Sequence, residues 1–201
     1  MNKVKICGLS RLEDIHTVNH VVPDFIGFVF AKSHRQVDER KAFLLKEKLD
    51  SKIKAVGVFV NQEIDFIVNL IDKGIIDLVQ LHGDEDEQYI KQLKEGCSCQ
   101  VIKAIGIESV LPKLPEGADY FLFDTLSHQR GGTGESFDWG VLKNYNGTPY
   151  FLAGGLNIDN VCTALRLLSP FCIDVSSGVE TGGIKDAEKI YKFVSLVRGD
   201  I

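Results

Sequence analysis

Eight short apolar runs recur along the chain: VKICGL (4–9), DFIGFVF (24–30), KAVGVFV (54–60), DLVQLHG (77–83), QVIKAIG (100–106), DYFLFDT (119–125), PYFLAGGL (149–156) and FCIDVSSG (171–178). They are nearly continuous rather than alternating, the pattern of parallel strands covered on both faces. Helical periodicity fills most of the gaps. Leu12, Ile15, Val18 and Val22 share one face, behind a Ser10-x-x-Glu13 capping-box signal. Asn61 is placed to cap a helix carrying Ile64, Ile67, Val68 and Ile71. Asn157 is placed to cap one carrying Ile158, Val161, Leu165 and Leu168, and Ile190, Phe193, Val194 and Val197 mark the last helix. The segments after the fifth and sixth runs are weaker. Pro112 and Pro115 shorten one, and a long polar loop opens the other.

Strands alternating with helices build βα units. Eight of them in 201 residues, without a linker, low-complexity stretch or composition break, predict an α/β fold: a single closed (β/α)8 TIM barrel over residues 1–201. An open doubly wound sheet is the other arrangement of such units, and their regularity favours closure.

In such a barrel the chemistry sits at the C-terminal ends of the strands. The candidates are therefore Cys7-Gly8, Ser33-His34-Arg35, Asn61, His82-Gly83, Asp124, Gly154-Gly155 and Ser176-Ser177-Gly178. A strand cysteine is usually a small buried hydrophobe, yet Cys7 ends its strand beside a glycine. Asp124 ends an apolar strand, where desolvation raises a carboxyl pKa and suits a general acid; an N-cap or ion pair is the structural alternative. Arg35 has the planar fork that holds a carboxylate, or is simply solvated. His82 reads as a polar wall residue lining the substrate pocket or as a structural histidine. It has no further ligands at metal-site spacing. Asp174 is expected to be a supporting carboxylate. Gly154-Gly155 and Ser177-Gly178 fall in the two loops that commonly hold phosphate in these barrels, where bare backbone N–H groups approach an anion. The loop SHQRGGTGES (127–136) lacks Walker A spacing and reads as a flap over the mouth or a solvated linker.

Composition narrows the partners. A net charge of −5 with no basic stripe disfavours nucleic acid. No apolar stretch approaches the ~20 residues of a membrane span, and no leader-type segment is visible, so a cytoplasmic protein without membrane contact is expected. The five cysteines, at 7, 97, 99, 162 and 172, are odd in number and contain one isolated C-x-C; they are expected to be reduced and metal-free.

In their order and spacing, KICGL (5–9), GFVF followed by SHR (27–35), VGVFVN (56–61), VQLHGDE (79–85), LFDT (122–125), GGTGESFDW (131–139), LAGGLN (152–157) and DVSSGVE (174–180) resemble the phosphoribosylanthranilate isomerase family of tryptophan biosynthesis. The resemblance covers essentially the whole chain. It implies an Amadori rearrangement of a small-molecule phosphoribosyl substrate, without cofactor or metal, by a monomer or homodimer. It implies Cys7 as general base, Asp124 as general acid and Arg35 as ligand of the anthranilate carboxylate. It also implies phosphate held around Gly154, Gly155, Ser177 and Gly178 and by the loop Gly132, Thr133 and Gly134. The chain departs from many members in having His34 before Arg35. A histidine-pathway aminoaldose isomerase would typically use two aspartates, and a non-catalytic phosphosugar-binding barrel would need neither acid nor base. A cysteine base acts as thiolate, for which Lys5 is a nearby cation, and the acidic arm of a bell-shaped pH profile is expected to belong to the thiol.

Overall fold

The computed structural model describes residues 2–125 and 136–200. Eight parallel strands follow one another around a closed barrel: β1 (Lys3–Cys7), β2 (Phe25–Val29), β3 (Lys54–Phe59), β4 (Leu78–Leu81), β5 (Gln100–Ile107), β6 (Tyr120–Thr125), β7 (Tyr150–Leu152) and β8 (Cys172–Val175). Pairing of β8 with β1 closes the ring and sets Lys5 beside Asp174 and Ile6 beside Val175. Six strands lie within their apolar runs and the other two, β1 and β5, overrun theirs by one residue, at Lys3 and Ile107, as the near-continuous pattern predicts.

Among the described residues, six helices cover the outside: α1 (Leu12–Val21), α2 (Glu39–Lys46), α3 (Ile64–Asp72), α4 (Glu87–Gly96), α5 (Val161–Leu167) and α6 (Ala187–Arg198). The two weak segments behave as the prolines and polar residues imply. Residues 108–119 join β5 to β6 without a helix, and among the described residues between β6 and β7 a 3-10 turn, Trp139–Leu142, precedes β7. Between β8 and α6 the chain makes a small antiparallel hairpin, β9 (Glu180–Thr181) and β10 (Ile184–Lys185).

Side chains alternate between the two faces of each strand, so the barrel has two cores. Val4, Ile6, Ile26, Phe28, Val79, Leu81, Phe123 and Ile173 face the helices and merge with Ile15, Ile67, Ile90 and Phe193. Phe25, Val56, Leu78, Ile102, Leu122, Phe151 and Cys172 form a separate cluster that plugs the barrel interior near its N-terminal end. On β1 the inward positions are Lys3, Lys5 and Cys7. Lys3 caps the plug, its ammonium 4.5 Å from the centre of the Phe171 ring. Lys5 is enclosed in the middle of the barrel, and Cys7 reaches the mouth.

Three expected helix starts differ. Ser10 and Glu13 do not form the capping box. Helix α1 begins at Leu12, and the buried Asp14 carboxylate accepts the backbone N–H groups of both Ser10 and Arg11 at 3.0 Å. Asp14 stands three residues after Arg11, the spacing at which an acid reaches back to the first free donors. Asn61 does not cap α3, whose N-cap position is Glu63. It takes a positive φ of 49° and ties two strand exits together: its N–H donates to Glu85 Oε1 at 2.7 Å and its Oδ1 accepts the Asp84 N–H at 2.8 Å. Asn157 does not cap α5 either: the N-cap position is Asn160, and Asn157 Oδ1 instead accepts the N–H groups of Asp159 and Asn160 in the turn just before the helix.

Candidate active site

The mouth is organised around a buried ion pair. Lys5 Nζ donates to Asp174 Oδ1 at 3.0 Å, and the lysine has no exposed surface. Burial of this ammonium is the largest single effect on it and favours its neutral form. The Asp174 carboxylate and the Cys7 sulfur together outweigh that, so its pKa is raised and it stays a cation. Asp174 is thus the supporting carboxylate expected of it.

Cys7 is enclosed above this pair. Burial pushes its thiol pKa up, while the Lys5 and Lys185 ammonium groups pull it down; burial wins. Asp124 enters the same mouth from β6. About a third of its side chain (32%) still meets solvent, but the walls around it are protein. Desolvation, helped by the Asp174 charge, pushes its pKa up to about 6, against the N–H of Thr125, which donates to Oδ1 at 2.8 Å. Asp124 is therefore a carboxyl that holds its proton far better than a solvated one. It caps no described helix.

His82 faces Asp124, its Nε2 3.7 Å from Oδ2. Burial, reinforced by the Lys5 charge, pulls its pKa down to about 4, so it is neutral and the contact is not an ion pair at neutral pH. Gln80 Nε2 lies 3.0 Å from His82 Nδ1, and with Gln80 as donor the ring hydrogen points from Nε2 towards Asp124. The loop that carries His82 is fixed from below. Lys103 Nζ donates to Glu85 Oε2 and to the Gly83 carbonyl, both at 2.8 Å, and Glu85 also accepts the N–H groups of Gly83 and Asn61.

Arg35 lies against the β1 exit but is already engaged. Its Nε and Nη2 donate to Glu180 Oε1 and Oε2 at 2.7 and 2.8 Å. Gly8, at φ +80°, makes room for it: a side chain there would put its Cβ 2.4 Å from Arg35 Cδ. Lys185 completes the group, donating to Glu180 Oε1 at 2.6 Å and to the Ser176 carbonyl at 2.9 Å.

The two glycine turns meet as their positions suggest, though the reason for one glycine is different. A Cβ on Gly178 would lie 1.9 Å from the Leu156 carbonyl oxygen, so the loop after β8 packs directly on the loop after β7. Gly154 and Gly155 both have positive φ and turn the chain beside Thr125 and Asp124. Ser177 begins the short 3-10 turn that contains Gly178. Gly132, Thr133 and Gly134, with the rest of 127–135, lie outside the described residues. The C-x-C pair, Cys97 and Cys99, sits before β5, at the end of the barrel opposite the mouth.

The structure thus brings Cys7, Asp124, His82 and Arg35 to one mouth. Sequence reasoning missed Glu180, Lys185, Gln80, Glu85 and Lys103. The strand-exit rule could have found Glu180, inside the quoted DVSSGVE, had it been extended a few residues past β8.

A family model described as N-(5'phosphoribosyl)anthranilate (PRA) isomerase matches residues 4–196. An N-(5'-phosphoribosyl)anthranilate isomerase from Endomicrobium trichonymphae is 50% identical, over 98% of this chain and 99% of its own length. The crystal structure of phosphoribosyl anthranilate isomerase from Thermotoga maritima matches with a TM-score of 0.87 at 33% identity, over 99% of this chain and all of its own. A further structure, of the isomerase in complex with reduced 1-(o-carboxyphenylamino)-1-deoxyribulose 5-phosphate, matches at 0.84 and 33%, with the same coverage. By sequence and by fold, the chain belongs to the N-(5'-phosphoribosyl)anthranilate isomerase family.

Proposed function

We propose that this chain isomerises N-(5'-phosphoribosyl)anthranilate to 1-(2-carboxyphenylamino)-1-deoxyribulose 5-phosphate, the aldose-to-ketose Amadori step of tryptophan biosynthesis, with Asp124 as acid and Cys7 as base. One observation carries the assignment of roles: a carboxyl that titrates near pH 6 and a buried thiol share one mouth over the Lys5–Asp174 pair.

Ring opening needs a proton on the furanose oxygen as the C1'–O bond breaks. Asp124 supplies it, and the anilino nitrogen lone pair forms the C=N bond of the Schiff base. The Cys7 thiolate then removes the C2' proton, and the freed electron pair makes the C1'=C2' bond of the enolamine. Tautomerisation gives the ketone. The Lys5 and Lys185 charges are the groups that stabilise the thiolate, since each lowers the thiol pKa against the cost of burial. Neutral His82 walls the sugar side of the mouth without adding charge beside Asp124. Arg35 takes the anthranilate carboxylate, and the abutting turns at Gly154-Gly155 and Ser177-Gly178 receive the phosphate.

The test follows the loss of phosphoribosylanthranilate fluorescence. Cys7→Ala and Asp124→Asn are each expected to lower kcat by about 10²–10⁴-fold while product-analogue binding persists. Near-normal turnover by Cys7→Ala would remove the thiol from the mechanism. Turnover of the histidine-pathway aminoaldose in place of this substrate would overturn the reading as a whole.

A further inference from the structure

We infer that Glu180 is a positioning residue, which turns the Arg35 guanidinium so that its free edge meets the carboxylate on the substrate's aromatic ring. The inference rests on the reading of Arg35 above and extends it to a residue outside the reacting groups.

A guanidinium presents two edges to carboxylates. Glu180 occupies the side-on edge, through Nε and Nη2. The end-on edge, Nη1 with the second Nη2 hydrogen, remains, and no described residue bonds Nη1. The stem of the side chain is held in place, which leaves the direction of the guanidinium to its Glu180 bonds. Its Cδ crosses the space left by the missing side chain of Gly8, and only 15% of its surface is exposed. Glu180 is itself held from two sides: Lys185 Nζ bonds its carboxylate, and Lys189 Nζ bonds its backbone carbonyl at 2.7 Å. Lys185 reaches on to the Ser176 carbonyl, and Ser176 Oγ donates to the Cys7 carbonyl at 3.1 Å. The clamp and the β1 exit that bears the thiol are therefore one connected assembly.

Charge points the same way. Arg35 and Lys185 share one carboxylate, so the cluster keeps a net positive charge in a largely enclosed place. What it lacks is a second anion with two oxygens in a plane, the shape that an arginine edge matches bidentately. Without Glu180 the guanidinium would keep its charge and lose its direction.

The experiment compares wild type with Glu180→Asp, Glu180→Gln, Arg35→Ala and the Arg35→Ala/Glu180→Gln double variant. Glu180→Asp keeps the charge and the cation balance but shortens the reach, so it stays informative if the glutamine variant folds poorly. Calorimetry measures binding of reduced 1-(o-carboxyphenylamino)-1-deoxyribulose 5-phosphate, and of ribose 5-phosphate, which has no aryl carboxylate. Both Glu180 variants are expected to weaken the first ligand by about tenfold and the second by less than about twofold, with KM rising more than kcat falls. In the Arg35→Ala background Glu180→Gln should add nothing. Unchanged binding of the first ligand in both Glu180 variants, or equal weakening of both ligands, would overturn the positioning role. Unchanged binding of the first ligand in Arg35→Ala would instead overturn the reading of Arg35.

Discussion

At the scale of single residues, the order of two pKa values decides how the enzyme responds to pH. With Asp124 as the proposed acid and Cys7 as the proposed base, the active form is the one with Asp124 protonated and Cys7 ionised. Asp124 titrates near 6, and burial holds the Cys7 thiol above its ordinary value, so the acid loses its proton before the base does. The fraction with both groups correctly set rises up to about pH 6, stays level, and falls once the thiol has ionised. The acidic arm of kcat/KM is thus expected to bend near the Asp124 value and the alkaline arm at the thiol. This reverses the sequence-based expectation, because burial acts on both groups and separates them in that order. The pH dependence of Cys7 alkylation, followed peptide by peptide, gives the thiol value independently and should coincide with the alkaline bend. Cys7, Asp124, His82 and Arg35 were legible because each ends or closely follows an apolar run. Glu180 and Lys185 were not, since they lie in a hairpin that no periodicity marks. The Lys5–Asp174 bond joins residues 169 positions apart, a contact that only the closed ring reveals.

At the scale of elements, the strands were readable and the helix starts were less so. A strand buried on both faces needs only a run of apolar residues, whereas a cap depends on which of several adjacent polar side chains reaches the free N–H groups. Glu13 and Asp14 are neighbours of the same charge, and the shorter one won. Ser10→Ala is accordingly expected to change stability by less than about 0.5 kcal/mol. Asp86, whose Oδ1 accepts the Tyr89 N–H at 2.9 Å at the start of α4, is a working cap. Asp86→Ala should cost about 1 kcal/mol, read as a lower urea midpoint at unchanged slope. The stretch 108–119 was correctly marked as weak by its prolines: a helix that must begin and end between Pro112 and Pro115 has no room for a turn of its own.

At the scale of the whole molecule, the barrel interior divides into a dry plug below and a charged floor above. Phe151 is fully buried in the plug, with its ring centre 5.5 Å from Phe25, 5.6 Å from Tyr120 and 5.6 Å from Phe171. Phe151→Ala is expected to cost about 3–5 kcal/mol in reversible unfolding, because strands fixed in a ring cannot collapse into the void. The charged floor has a different consequence, one of timing. Its central bond links the first strand of the barrel to the eighth, and the Glu180–Lys185 hairpin follows that eighth strand. Partly folded chains with six or seven strands in place leave Lys5 without its partner and Arg35 without its brace. Closing so long a loop is slow, and it comes after the local βα contacts. Recovery of activity during refolding should therefore lag recovery of helix, and catalysis itself becomes the clock that reports when the ring has shut.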